Sequence, residues 1–382
     1  MSDREYDCIV VGARVAGAAT AMLLARRGVK VLVLDSGAMG SDTLSTHFIW
    51  PRGARHLRDW GLVPKLVESR TPPIHRILFD PGCAAISAVL DSEAWCPRRT
   101  VLDRLLVEAA TAAGAEVRHR TTVEGIVEED GRVVGVRLRQ GVVRAPLVVG
   151  ADGRSSTMAR LVGSDHIERY PPQTAGFYAY FEGLAVEGAE FHLRQGLLTY
   201  AWATSAGLGL VYVAASAPGF EELRLRVGRG LVEAAVQDDQ LLHKLRDARQ
   251  VGPIRGFARQ GPVRRRTVGP GWVLIGDAAS FKDPAAGMGI SEAFEDAAWL
   301  DAAAATDSLS APSTGAREMD AARIFDFCRR VADLRDPQPW LADLYREVSS
   351  DPAWSRELMR MLGGEIPPAT FYEAFAARAL KC

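Results

Sequence analysis

Residues 7–35 of the chain read DCIVVGARVAGAATAMLLARRGVKVLVLD, and this stretch decides the fold. Its first part, Asp7 to Val11, is a short apolar run typical of a buried parallel strand. A glycine-rich turn follows, and the Ala- and Leu-rich segment from Ala18 to Arg27 predicts a helix. A second apolar run, Val29 to Leu34, predicts another strand, which ends at Asp35. This order, with an acidic residue about 20 positions after the turn, is the context of a dinucleotide-binding fingerprint.

The turn itself has small residues where a pyrophosphate would lie. Gly12 allows a tight turn, and Gly17 allows the helix to pack closely on the strand. The pyrophosphate would sit at the positive N-terminus of the helix, and Asp35 would accept hydrogen bonds from the adenosine ribose. An ordinary βα loop rich in small residues is the alternative, which Asp35 disfavours. The predicted nucleotide contacts are Gly12, Ala13, Arg14, Ala16, Gly17 and Asp35.

One position of the turn departs from the fingerprint. Arg14 stands where the middle glycine is expected, so a side chain lies next to the pyrophosphate path. Either Arg14 points to solvent while the backbone still approaches the ligand, or its guanidinium pairs with phosphate, which suits its bidentate geometry. The sequence leaves both alternatives open.

Two later segments complete a pattern. Ala145 to Gly150 predicts a strand that leads into Asp152 and Gly153, and Trp272 to Ile275 predicts a buried strand that ends in a Gly-Asp pair before the loop Asp283–Ile290. In this order the segments resemble the FAD-binding motifs of the para-hydroxybenzoate hydroxylase family. The family's pattern continues from the second motif to an arginine, and this chain departs there, with alanine at that place and arginine next to it.

The resemblance implies a non-covalent FAD, because no Cys or His lies in a recognisable flavinylation motif. It implies that Asp277 binds the ribityl chain and that the loop Asp283–Ile290 runs along the isoalloxazine ring. A helix from about Ser291 to Ala304 would direct its positive N-terminus at the ring and stabilise an anionic reduced flavin. Lys282, at the start of this loop, is expected to face solvent. The FAD contacts implied by the resemblance are Arg99, Val123, Asp152, Gly153, Gly276, Asp277, Pro284, Gly287, Met288, Gly289 and Ile290.

Composition excludes several classes of partner. The net charge is −1 with both signs interspersed, which argues against nucleic acid. No signal peptide precedes the first strand and no apolar run reaches membrane-spanning length, so we expect a cytoplasmic protein with no membrane partner. The five cysteines lack metal-ligand spacing, and no metal site is expected. The sequence makes no prediction of oligomeric state.

The length of 382 residues allows two domains and a tail, in an α/β fold. We expect a discontinuous Rossmann-like FAD-binding domain over 1–73, 97–165 and 262–310. Alternating and aromatic runs over 74–96 and 166–261 predict an antiparallel β-sheet substrate domain. Prolines separate predicted helices in a C-terminal helical region, 311–382, which a linker from about Ser308 to Gly315 introduces.

Five residues are candidates for contact with a substrate. Alternating positions on a strand share a face, so Tyr178 with Tyr180, and Tyr200 with Trp202, could each line a pocket wall. Packing within the sheet is the alternative for each of them. His47 is the catalytic candidate, because a group titrating near neutrality could deprotonate or orient a phenolic substrate. Local packing of His47 beside a Ser/Thr cluster is the alternative reading.

The resemblance implies an FAD-dependent oxidoreductase, and first a monooxygenase for a small substrate, aromatic or natural-product-like. NAD(P)H would be a transient electron donor, and O₂ would react through a flavin C4a-hydroperoxide. The alternative is an FAD-dependent dehydrogenase or reductase resembling geranylgeranyl reductases. The run Tyr200-Ala201-Trp202 matches half of their Tyr-x-Trp-x-Phe-Pro motif, but Thr204-Ser205 replaces the Phe-Pro half. Absence of the Trp-x-Trp-x-Ile-Pro motif disfavours a halogenase.

Overall fold

The computed structural model describes residues 6–216, 239–256, 261–306, 312 and 314–379. Parts of the predicted substrate segment 166–261 and most of the predicted linker at 308–315 lie outside the described residues.

A six-stranded sheet forms the first part of the fold. Every neighbouring pair in it is parallel except the edge pair β17–β18. The central strands are short and fully buried, as the continuous apolar runs predict. In spatial order the strands are β17 (Val268–Gly269), β18 (Trp272–Leu274), β9 (Leu147–Gly150), β1 (Cys8–Val11), β2 (Val31–Leu34) and β5 (Glu116–Arg118).

Helices cover one face of this sheet and a small sheet covers the other. The first face packs on α1 (Val15–Arg26), α4 (Arg99–Ala112) and the later helix α7 (Gly289–Ala305) through one apolar cluster. The other face packs on three antiparallel strands and on α5. This arrangement confirms the Rossmann-like architecture. The remaining elements of this part are α2 (Pro51–Asp59), α3 (Val63–Glu68), α5 (Thr157–Leu161), β6 (Val123–Glu129), β7 (Arg132–Leu138) and β8 (Gly141–Arg144).

A seven-stranded sheet forms the second part. Its pairs are antiparallel except β12–β3, which is parallel. In spatial order the strands are β15 (Arg249–Gly256), β11 (Thr174–Glu182), β14 (Leu208–Ser216), β13 (Leu197–Ser205), β12 (Ala189–Arg194), β3 (Pro73–Asp80) and β4 (Ile86–Trp95). A further three-stranded sheet of β10 (His166–Arg169), β16 (Val263–Arg265) and β19 (Ser280–Phe281) lies where the chain passes between the two parts.

Helices pack on both faces of the seven-stranded sheet. The helix α6 (Asp239–Arg246) packs on one face through Leu241 and Leu245. The C-terminal helices cover the other face, and three of them begin at a proline, whose fixed φ suits the first helical position. The predicted helical C-terminal segment is therefore present. Its helices are α8 (Gly315–Val331), α9 (Pro339–Ser349), α10 (Pro352–Leu362) and α11 (Pro368–Ala379). Among the described residues, no helix combines the length and apolar character needed to cross a bilayer.

Candidate functional site

A cavity of about 680 Å³ opens where β1, β2, β9 and β18 end. We call it the strand-end cavity. Ligands of doubly wound sheets bind at this edge, beyond the carboxyl ends of the strands. The predicted cofactor residues that line it are Gly12, Arg14, Ala16, Asp35, Arg99, Val123, Asp152, Gly153, Gly276, Asp277, Pro284, Gly287, Met288, Gly289 and Ile290.

The glycine-rich turn fits tightly against the neighbouring strand end. Gly12 has a φ of +106°, and a Cβ added there would lie 2.4 Å from the Ala151 carbonyl oxygen. A Cβ at Gly17 would lie 1.9 Å from the Gly12 carbonyl oxygen. Gly17 and Ala13 do not line the cavity. Any side chain at Gly12 or Gly17 would therefore push β1, β9 and α1 apart.

Asp35 organises the end of the cavity next to the glycine-rich turn. Its carboxylate accepts hydrogen bonds of 2.7 Å from the backbone N–H groups of Ala13 and Gly37. Each carboxylate oxygen keeps a second acceptor site, and the residue lines the cavity, so a ribose hydroxyl could still donate to it. Ala13 thus contributes to the site through its backbone.

Two arginines also line the cavity. Arg14 donates through Nη2 to the Ser41 hydroxyl at 3.3 Å, while its buried Nη1 has no hydrogen-bond partner among the described residues. Arg99 forms a two-pronged hydrogen bond of 3.0 Å with Asp103. A buried guanidinium nitrogen without a partner is costly, so Arg14 has capacity for an anionic ligand.

The Asp152 carboxylate is engaged within its own loop. It accepts hydrogen bonds from the Ser156 hydroxyl at 2.5 Å and from the backbone N–H groups of Thr157 and Met158 at 2.7 and 3.0 Å. These bonds satisfy the free N–H groups at the start of α5. Asp152 therefore shapes the loop that carries Gly153 into the cavity wall.

The opposite end of the cavity is built by the segment from Gly276 to Ile290. Burial raises the pKa of Asp277, against the positive charges of Lys282, Arg99 and Arg154. The Asp277 carboxylate makes no hydrogen bond within the part of the chain that the structure describes, which leaves it available to hydroxyl donors.

The turn Pro284–Gly287 is fixed on three sides. Asp283 accepts hydrogen bonds from the Thr174 hydroxyl at 2.6 Å and from the Ala285 N–H at 3.0 Å. The Trp50 indole donates to the Ala286 carbonyl at 3.1 Å, and the Tyr200 hydroxyl donates to the Ala285 carbonyl. The turn then ends at Gly287, with a left-handed φ of +64°. The chain continues into α7, whose N-terminal residues line the cavity and give this end a positive potential.

His47 lies behind the cavity wall and is fully buried. Its Nδ1 is 2.7 Å from the Ser45 carbonyl oxygen, which can only accept, so Nδ1 carries the proton. Nε2 therefore accepts from the Tyr180 hydroxyl at 2.9 Å. Burial and the positive charge of Arg99 lower the pKa of His47 to about 3, and the imidazole is neutral at physiological pH. This histidine holds the preceding residues, 42–46, which line the cavity themselves.

The predicted aromatic residues fall into two groups. Tyr178 and Tyr180 surround His47, with ring centroids 5.3 and 5.9 Å from the imidazole. Tyr200 and Trp202 stack on each other at 5.5 Å in the apolar cluster of the seven-stranded sheet. All four side chains are buried, and none of them lines the strand-end cavity.

A second cavity, of about 790 Å³, lies between the seven-stranded sheet and the C-terminal helices. We call it the apolar cavity. The sheet contributes Ile77, Phe191, Leu198 and Tyr200, and the helices contribute side chains that include Phe327, Leu341 and Tyr345. Trp50 and Ala286 also line it. Tyr200 is the predicted substrate residue that reaches this cavity.

Several site residues were not predicted. The expectation that Lys282 faces solvent was wrong: it is 6% exposed and lines the strand-end cavity. Lys282 directly follows the short strand β19, which pairs with β16, so its position in the cavity wall depends on this long-range pairing. The cavity is also lined by residues 42–46 and by Thr121 and Thr122. In the segment 42–47, only His47 was named as a candidate from the sequence.

The residues of the strand-end cavity fit an FAD. The cavity is long enough to run from Asp35 at one end to the turn at Gly287 and Met288 at the other. The unpartnered Arg14 nitrogen and the N-terminus of α1 suit a pyrophosphate. Gly289 and Asp277 both line the cavity, and the absence of a side chain at Gly289 leaves the cavity wall beside Asp277 open to a ligand.

Comparisons with known proteins agree with this fit. The family model "FAD binding domain" matches residues 5–178. The chain is 31% identical to a digeranylgeranylglycerophospholipid reductase of Methanopyrus kandleri over 313 residues, which cover 76% of this chain and 77% of the relative.

Solved structures share the fold. The flavin-dependent brominase Bmp2 superposes with a TM-score of 0.81 at 19% identity, covering 99% of this chain and 100% of that one. PqsL of Pseudomonas aeruginosa, described as a probable FAD-dependent monooxygenase, superposes with a TM-score of 0.73 at 19% identity, covering 93% and 99%. Fold, cavity and relatives lead to one conclusion: the chain is an FAD-dependent oxidoreductase and belongs to the family that includes the digeranylgeranylglycerophospholipid reductases.

Proposed function

We propose that this oxidoreductase is a monooxygenase, which hydroxylates an apolar organic molecule with O₂ and electrons from NAD(P)H. The observation that carries the proposal is that one turn lines both cavities. Pro284 and Gly287 line the strand-end cavity, while Ala286, between them, lines the apolar cavity. A substrate in the apolar cavity would thus be separated from the cofactor by a single turn.

The apolar cavity favours a neutral substrate. Most of the charges at its rim are already paired: Arg330 with Asp326 at 2.7 Å, Arg335 with Asp333, and Arg323 with Asp320 at 2.8 Å, while Asp336 forms no ion pair among the described residues. The walls are mainly aliphatic and aromatic, which suits an apolar body held by burial. A volume of about 790 Å³ favours a molecule of natural-product size over a single aromatic ring.

The residues around the turn would position and dry the reaction site. Trp50 and Tyr200 hold the turn from the side of the apolar cavity, and their buried rings exclude water there. Water exclusion protects reactive intermediates from hydrolysis. Bound FAD would supply the redox chemistry, taking electrons from NAD(P)H and activating O₂.

A reductase is the second candidate, and the relatives favour it. A digeranylgeranylglycerophospholipid reductase of Methanosarcina mazei is 30% identical over 81% of this chain and 77% of the relative, and the apolar cavity would also suit a prenyl chain. The missing Phe-Pro after Tyr200-Ala201-Trp202 counts against it, since Thr204-Ser205 stands there.

Labelled oxygen separates the two functions. Neutral aromatic and prenylated compounds are screened for acceleration of NAD(P)H oxidation, and the product of the best compound is then formed under ¹⁸O₂. A monooxygenase gives product containing ¹⁸O. Unlabelled product, together with turnover under nitrogen with an artificial electron acceptor, would instead establish the dehydrogenase or reductase.

A cavity variant tests where the substrate binds. Leu198→Trp fills the apolar cavity and is expected to abolish the acceleration while FAD content stays unchanged. Val89→Trp is the control, because Val89 is exposed in the same sheet. Equal acceleration in both variants would place the substrate elsewhere.

A further inference from the structure

Lys282 is a buried cation inside the strand-end cavity. It directly follows β19, and its side chain is 6% exposed. Its ammonium group donates to the Ser280 carbonyl oxygen at 3.0 Å. An ammonium group has three donors, so this bond leaves capacity for further acceptors.

No carboxylate in the described part of the chain forms a direct ion pair with this lysine, although the Asp277 carboxylate lies close enough for the lysine's charge to oppose the rise in its pKa. The neighbouring Asp283 is occupied by Thr174 and the Ala285 N–H. A buried charge without a partner is costly unless a ligand compensates it. The position of Lys282 in the cavity wall therefore indicates an anionic group of the ligand.

FAD offers two such groups, the pyrophosphate and the reduced ring. The pyrophosphate belongs to the other end, where the turn after β1, Arg14 and the N-terminus of α1 meet. Lys282 adjoins the turn Pro284–Gly287 and the start of α7, at the end that resembles the family's isoalloxazine loop. The ring is therefore the group within its reach.

We propose that the Lys282 ammonium stabilises the negative charge of the reduced flavin ring and so raises the reduction potential of the bound FAD. Hydride transfer from NAD(P)H brings two electrons and one proton, which leaves the ring with one net negative charge and releases NAD(P)⁺. A cation at this end adds to the positive N-terminus of α7. The inference rests on FAD in the strand-end cavity and is independent of the monooxygenase reaction.

Lys282→Gln tests the proposal, because glutamine keeps a donor for the Ser280 carbonyl and removes the charge. Dissociation constants of oxidised and reduced FAD are measured anaerobically, without substrate, by titration of the full chain. We expect affinity for reduced FAD to fall about tenfold or more relative to oxidised FAD. For a two-electron couple, tenfold corresponds to a potential about 30 mV more negative.

Two variants complete the design. Lys282→Arg keeps the charge and should keep the ratio of the affinities for reduced and oxidised FAD. If the glutamine variant does not fold, this ratio in the arginine variant is the measurement that tests the proposal. Lys30→Met removes an exposed lysine at the far end of β2 and should leave the ratio unchanged. An unchanged ratio in Lys282→Gln would overturn the proposal. An equal loss of affinity for oxidised and reduced FAD in Lys282→Gln would also overturn it, because that result would place Lys282 at the pyrophosphate. A ratio of affinities that falls in Lys282→Arg as much as in Lys282→Gln would overturn it as well.

Discussion

Gly289→Ala should have opposite effects on the apoprotein and on FAD binding. Gly289 is the first residue of α7, its φ is not positive, and an added Cβ would meet only the Asp277 Oδ1 atom, at an ordinary 3.9 Å. Alanine reduces the conformational freedom of the unfolded chain, so the apoprotein should gain about 0.5–1 kcal/mol of stability. The same methyl group would project into the strand-end cavity beside Asp277, where the ligand would bind.

The assay compares two free energies in one variant. Urea unfolding of the apoprotein gives the free energy of unfolding, and titration with FAD gives the dissociation constant. We expect affinity to fall at least about tenfold, or about 1.4 kcal/mol. Gly315→Ala is the matched control, because Gly315 is the first residue of α8 and an added Cβ there meets nothing within 4 Å. That variant should gain stability and bind FAD normally. Normal FAD affinity in Gly289→Ala would refute the placement of the cofactor.

Three further substitutions test separate parts of the site. Asp35→Asn and Asp277→Asn should each weaken FAD binding by about 1.5–3 kcal/mol, measured by titration, since each removes a charged acceptor; wild-type affinity in both would contradict the site. The pKa of His47 falls from its ordinary 6.5 to about 3 on folding. Below pH 6.5 the imidazole therefore binds a proton in the unfolded chain but not in the folded one. The free energy of unfolding should drop by about 1.4 kcal/mol for each pH unit below 6.5. His47→Asn should flatten this slope between pH 6.5 and 5, whereas His166→Asn, at an exposed histidine, should keep it; equal slopes would show that His47 does not cause it.

The elements read correctly from the sequence are those whose signal is local. The apolar runs at β1 and β2 match strands within two residues of the predicted bounds. A parallel strand that is buried on both faces is a continuous apolar run, so the local sequence is enough to identify it. The helix predicted from about Ser291 begins earlier, at Gly289. A glycine at a first helical position carries little local signal, so this boundary depends on tertiary contacts.

The parts of the site that the sequence missed depend on long-range pairing. The position of Lys282 in the cavity wall depends on the pairing of β19 with β16, and no local pattern encodes that contact. The apolar cavity forms between Leu198 in the sheet and Leu341 in α9, which are far apart in the chain. His47 was named as a catalytic candidate because imidazole titrates near neutrality, yet its long-range hydrogen bond to Tyr180 depends on how the sheet packs over the loop.

Reaction of the reduced protein with O₂ tests the central claim most directly, because its expected outcome can be observed without knowledge of the substrate. The FAD-loaded chain is reduced anaerobically with NAD(P)H and mixed with oxygenated buffer in a stopped-flow spectrometer. We predict a transient whose absorbance differs from those of both reduced and oxidised flavin, followed by slower return of the oxidised spectrum. A single-phase return to oxidised flavin with no such transient, together with reduction of a prenyl substrate under nitrogen, would contradict the monooxygenase and establish the reductase.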